Sequence, residues 1–163
     1  MSEENAKLQT IDGSTIEVAR HLAEQSVLIK GVIEDQGLED EIPLPSTKKA
    51  TLEKIIAYWT HLYDNAPPEV PKPLRTNKLE DCVEPFYAEF INKLSQEELF
   101  DLLITANVLD VQSLLELCSA KVAADLKDQP IDKVRAYFHE QNDITPEMSK
   151  QIEEENRWAE ESF

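Results

Sequence analysis

Residues 7–18, KLQTIDGSTIEV, alternate in hydropathy. Leu8, Ile16 and Val18 fall on one side, with Lys7, Gln9, Thr15 and Glu17 on the other. A period of two is the mark of a half-buried strand. The central Asp12-Gly13 pair signals a two-residue hairpin, because both central positions of a type I′ turn take positive φ. After Ser46 the pattern turns helical and stays so. The chain therefore reads as a hairpin followed by helices, an α+β protein that is mostly helical.

The elements follow in order. ARHLAEQSVLIKGVIEDQG reads as helix, with Ser26 as N-cap and Gly37 as the stop. EIPLP supplies a third short strand, and Pro43 and Pro45 confine it to an edge or a strand end. Leu52, Ile55, Ile56, Trp59 and Tyr63 form one helical stripe. DNAPPEVPKPLRTNK, broken by Pro67, Pro68, Pro71 and Pro73, is an exposed loop between two halves. VEPFYAEFINKL resumes as helix, and SQEELFDLLITANVL starts another through a Ser95–Glu98 capping box. Asp110 is expected to cap the next helix, whose buried face is Val111, Leu114, Leu115, Cys118, Val122 and Leu126. Two proline-initiated helices close the chain. One starts at Pro130 with the stripe Ile131, Val134 and Phe138. The other starts at Pro146, capped by Thr145, with the apolar line Ile144, Met148 and Ile152.

Several function classes lose support at this level. Sixteen basic against 33 acidic residues give a formal charge of −17. Nucleic acid is then a poor partner, since phosphate binding needs clustered Lys and Arg. An anionic membrane surface is disfavoured on the same ground, and a basic partner suits the charge better. Hydrophobic content of 41% is enough for a core. Cys118 lies in an apolar helical pattern, which favours a buried thiol over a disulfide with Cys82. No apolar h-region opens MSEENAKLQT, and no run approaches a membrane span. The expectation is an intracellular, reducing compartment.

Chemistry is equally sparse. His21, His61 and His139 lie on three segments without ligand-like spacing to a cysteine, so no zinc pattern is present. No glycine-rich phosphate loop or nucleophile elbow occurs. EDQGLEDE lacks the spacing of a calcium loop. EEEN is better explained as a solvated helix face than as an acid–base pair. The residues describe a binding module with no metal, no cofactor and no enzymatic constellation.

Trp158 stands out in that setting, close to an acidic terminus. At about 100° per residue it projects roughly 120° from Ile152. On this reading one apolar face holds the terminal helix down, and the indole looks elsewhere, toward a partner. The other reading frays the helix by Asn156 and folds the indole back onto its own chain.

Seven strings in series, AEQSVLIKGVIED, IPLP, LEKIIAYWTH, ELFDLLITANVLDV, LLELCSAKVA, NDITPE and EENRWAEE, carry a resemblance. The chain resembles the S-phase kinase-associated adaptors, which join cullin to F-box proteins in SCF ubiquitin ligases. Over its first three quarters it is similar to other small BTB/POZ proteins such as elongin C. The resemblance implies a BTB/POZ domain over residues 1–127, with a three-stranded sheet packed by helices. It implies an F-box-binding extension of two helices over residues 128–163. It also implies a non-enzymatic ligase adaptor of the cytoplasm and nucleus, with F-box proteins and a cullin scaffold as partners.

The F-box-binding residues so implied are Phe100, Leu115, Val122, Phe138, Asn142, Ile144, Met148, Ile152 and Trp158. The cullin surface would hold Asn107 and Val108, and Pro146 matches a proline that is hydroxylated and glycosylated in some lineages. Departures are specific. Val108 stands where the family has a tyrosine, Glu140 where an apolar residue is expected, and EEEN where the family has Arg-Lys-Glu-Asn. A divergent paralogue serving a cullin-free kinetochore, cytoskeletal or ciliary assembly is the alternative. Residues 140–163 carry eight acidic side chains against two basic ones. Partial disorder of this tail in the free protein, with order on binding, is expected from that charge.

Overall fold

The computed structural model describes residues 4–160. Strands β1 (Asn5–Gln9) and β2 (Thr15–Ala19) pair antiparallel, with Leu8 opposite Ile16 and Ala6 opposite Val18. The hairpin differs from the two-residue turn expected. Its connection is Ile11–Gly13, and Gly13 alone takes positive φ, at 77°. Asp12 contributes through its side chain instead, accepting hydrogen bonds from the Thr10 hydroxyl and the Ser14 N–H. A three-residue loop with a left-handed glycine is the next commonest solution. Strand β3 (Glu41–Pro43) runs parallel to β1, and the sheet order is β2-β1-β3. Pro43, which has no N–H to give, ends an edge strand, and the Leu44 N–H bonds the Gln9 carbonyl at 2.7 Å.

The segment after β2 is two helices, where a single helix was expected. α1 (Arg20–Ala23) is one turn, and α2 (Val27–Gln36) restarts at Ser26, whose Oγ accepts the Ile29 N–H at 3.1 Å. The same hydroxyl donates to the Leu109 carbonyl, tying the start of α2 to the end of a later helix. α3 (Lys49–Asp64) buries Thr51, Leu52, Ile55, Tyr58 and Trp59, so its buried arc is turned roughly 50° from the predicted stripe. Tyr58 can be buried because its hydroxyl reaches Ser113 Oγ at 2.9 Å. Tyr63, in the last turn, is exposed and packs on the His21 ring. The proline segment is not wholly exposed, since Pro68 is buried. A 3-10 turn (Leu79–Asp81) and α4 (Pro85–Asn92) follow it.

α5 (Gln96–Val108) and α6 (Gln112–Leu126) form a helical hairpin. Asp110 does not cap α6. It takes a left-handed conformation, φ 50°, while the Val111 N–H bonds the Ala106 carbonyl at 2.9 Å. That is the hydrogen bond of a Schellman closure, so Asp110 terminates α5. α6 buries Leu114, Leu117, Cys118, Ala120 and Ala124, with Val111 just before it. Leu115 and Val122 are half-buried. By helical-wheel arithmetic Leu115, Val122 and Leu126 lie on a second stripe, roughly 120° from the core arc. Burial pushes the Cys118 thiol up to about 12.

The Ser95–Glu98 capping box is present. The Ser95 N–H bonds Glu98 Oε2 at 2.9 Å, and the Glu98 N–H bonds Ser95 Oγ at 3.3 Å. That backbone bond first, and Lys54 next, hold the Glu98 carboxyl below its usual range. A depressed folded value means stabilisation that is present above the unfolded value, near 4.5, and lost as pH falls through the folded one. Glu98→Gln keeps the capping geometry but cannot titrate. Its urea midpoint is therefore expected to fall less steeply than that of the unaltered chain below about pH 4.5.

The chain divides into two compact units, one through Lys127 and one from Asp128. The second holds α7 (Ile131–Tyr137) and α8 (Pro146–Glu160). Pro130, expected as the first helical residue of α7, is its N-cap, and the helix starts one residue later at Ile131. His139, φ 56°, closes α7 as Asp110 closes α5, with the Glu140 N–H on the Arg135 carbonyl at 2.9 Å. No residue of α7 is buried.

Candidate protein-binding faces

The first face lies where α5 ends. Leu99, Leu102, Ala106 and Leu109 point into the core, which turns Ile104, Asn107 and Val108 to the surface. Val108 is 41% exposed. The Ser26–Leu109 hydrogen bond brings the start of α2 to this place, where Ile29 and Ile33 are buried and Val27 and Leu28 are exposed. Val108 directly precedes Leu109 and Val27 directly follows Ser26, so this bond sets exposed Val108 and Val27 beside one junction, with Ile104 and Leu28 exposed further along the two helices. Two to three turns back along α5 from Val108, Lys48 Nζ lies 2.6 Å from Asp101 and 3.9 Å from Glu97. Only Asn107 and Val108 of this group are named by sequence reasoning. The signal for Ile104 was its i,i+4 spacing to Val108, off the core stripe; that for Val27 and Leu28 was three apolar residues directly after an N-cap.

The second face is on the α5–α6 hairpin. Phe100, Leu115 and Val122 are half-buried, and the last two pack against the core cluster. Leu115 also lines a cavity of about 410 Å³ between α6 and the proline segment.

The remaining candidates, Phe138, Asn142, Ile144, Met148, Ile152 and Trp158, belong to the second unit, and all are exposed. Local hydrogen bonds explain their placement. Asn142 Oδ1 accepts the Ile144 N–H at 3.2 Å and turns the chain into α8. Thr145 Oγ1 accepts the Met148 N–H at 3.3 Å, and Pro146 follows it as the first helical residue. Ile144, Met148 and Ile152 do not form the buried face expected of them, since Met148 is 49% and Ile152 45% exposed. Polarity explains this in part: Gln151 and the charged Glu153, Glu154 and Glu155 flank the line, and no large apolar residue widens it into a core-facing stripe. The helix runs through Asn156 to Glu160 without fraying, and Trp158 is 70% exposed on it.

Among the described residues no group of three or more His, Cys, Asp or Glu is placed to hold a metal ion. No described helix is long and apolar enough to cross a membrane. Large exposed apolar side chains on short, capped helices suit recognition of other proteins.

Residues 4–64 match a family model described as the Skp1 family tetramerisation domain, and residues 112–159 match that of the Skp1 family dimerisation domain. The chain is 46% identical over 156 residues to the S-phase kinase-associated protein 1 homolog of Tetrahymena thermophila, covering 96% of this chain and 94% of that protein. It is 37% identical over 155 residues to the E3 ubiquitin ligase complex SCF subunit sconC of Neosartorya fischeri, covering 94% and 97%, and equally so to that of Aspergillus fumigatus.

Proposed function

This chain belongs to the Skp1 family, and from that premise we propose that it is a non-enzymatic adaptor of an SCF-type ubiquitin ligase, working in the cytoplasm and nucleus. In this role it joins a cullin to F-box substrate receptors. The observation that carries the reading is the second unit, where Ile131, Phe138, Ile144, Met148, Ile152 and Trp158 are all exposed within a short acidic segment. Apolar side chains gathered in this way suit a partner helix that supplies the missing core. The F-box grip is assigned to Phe138, Asn142, Ile144, Met148, Ile152 and Trp158, with Phe100, Leu115 and Val122 of the first unit. Affinity capture from cell extract, read by mass spectrometry, tests it. Recovery of F-box-containing chains is expected, and recovery of none defeats the reading.

The cullin face is assigned to Asn107 and Val108, extended by exposed Ile104, Val27 and Leu28. Here a second reading has support, because valine offers less contact area than the tyrosine of similar proteins. A buried interface tyrosine contributes about 2 kcal/mol or more, roughly thirtyfold in affinity. Val108→Tyr is therefore expected to tighten binding to a cullin amino-terminal domain about thirtyfold by calorimetry. Submicromolar binding by the unaltered chain removes the main support for a structural subunit of a cullin-free assembly.

A further inference from the structure

The proline segment is pinned at both ends, and between them it touches the core through half-buried Val70 and Leu74. At its start the Tyr87 hydroxyl donates to the Ala66 carbonyl, and Pro68 is buried. At its end Thr76 Oγ1 bonds the Lys78 carbonyl at 2.9 Å, and Leu79 is buried. Between these anchors the chain passes alongside α6 and leaves the cavity of about 410 Å³. Val70, Pro73 and Leu74 form one wall, and Leu115, Ser119 and Ala123 form the other. Lys72 Nζ spans it to Glu116 Oε1 at 3.1 Å. The Lys72 side chain is 70% exposed, and such pairs hold weakly. Leu115 sits in the cavity wall, and Val122 lies two turns further along the same side of α6.

We propose that residues 69–75 are a strap over α6, latched by the Lys72–Glu116 ion pair, and that a partner helix seated on Leu115 and Val122 displaces it. The identity of that partner rests on the F-box reading; the latch does not. Opening exchanges one exposed ion pair and the packing of Val70 and Leu74 for the partner's apolar contacts. The pinned ends return the strap to α6 when the partner leaves. Regulation of access then lies in the strap, with α6 unchanged.

Cys82 reports the state of the strap. Together with Glu69, Val70, Pro71 and Arg75 it lines a second cleft under the same segment, and Cys118 is buried. In Lys72→Glu the latch becomes a repulsion. Iodoacetamide labelling of Cys82 is expected to accelerate about three- to tenfold, with Cys118 still protected. The exchanged pair, Lys72→Glu with Glu116→Lys, is expected to restore the original rate. An unchanged rate in Lys72→Glu overturns the proposal, as does a rate the exchange fails to restore. In the unaltered chain, a saturating synthetic F-box peptide is expected to produce the same acceleration. A peptide that binds by calorimetry yet leaves Cys82 labelling unchanged overturns the displacement. A peptide that does not bind overturns the F-box reading, and the charge exchange still decides the latch.

Discussion

Trp158→Ala weakens binding to an F-box peptide about thirtyfold, a loss of about 2 kcal/mol, in a calorimetric titration. The expectation follows from position. α8 carries the indole one and a half turns beyond the Met148–Ile152 line and leaves it 70% exposed. A tryptophan held on a helix contributes a large contact area at little entropic cost when a partner covers it. Lys150→Ala, on the polar side of the same helix, is expected to change affinity less than about twofold. Helical content in circular dichroism should match across the two variants, because neither side chain is buried. Equal affinities in both variants would remove Trp158 from the interface.

Trp59→Ala has the largest expected effect on stability. The ring is fully buried in α3 within the main core cluster, and its removal leaves a cavity that costs about 3–5 kcal/mol. Trp59→Phe separates volume from polarity. The Trp59 Nε1 is buried with no hydrogen-bond partner among the described residues. An unsatisfied buried donor costs about 1–3 kcal/mol, so phenylalanine loses packing but also sheds that penalty. Its net cost is expected to stay below about 2 kcal/mol in urea unfolding followed by near-ultraviolet dichroism. Similar costs for the two variants would contradict the burial argument.

Where one periodicity governed a segment, the sequence was a sound guide. The alternation around Leu8 and Val18 and the capping box at Ser95 and Glu98 required no knowledge of neighbours. Three features depended on those neighbours. Asp12-Gly13 has the composition of a two-residue turn, yet Thr10 and Ser14 close a longer one by giving Asp12 side-chain work. Asp110 has the composition of an N-cap, yet the three-residue link between α5 and α6 needs a left-handed residue there. Tyr58 is buried through Ser113, 55 residues away, which no local pattern could convey.

The candidate faces show the same division. On α6, Leu114 and Cys118 belong to the core, while Leu115 and Val122 lie on a second stripe. A one-dimensional reading merges these into a single buried face. Ile104, Val27 and Leu28 are hard to tell from core in the sequence because each sits close to residues that are core. Their exposure becomes visible only when the Ser26–Leu109 hydrogen bond joins the two helices. On α8 the outward-facing indole of Trp158 matched expectation, while Ile144, Met148 and Ile152, expected to hold the helix down, are exposed because an apolar line among so many carboxylates has no wide core-facing stripe to join.

Size-exclusion chromatography of this chain mixed with a cullin amino-terminal domain and an F-box peptide tests the bridging role most directly. One peak containing all three, absent whenever this chain is omitted, is the predicted result. Co-elution with the F-box peptide alone, with the cullin domain running separately at micromolar concentration, would contradict it.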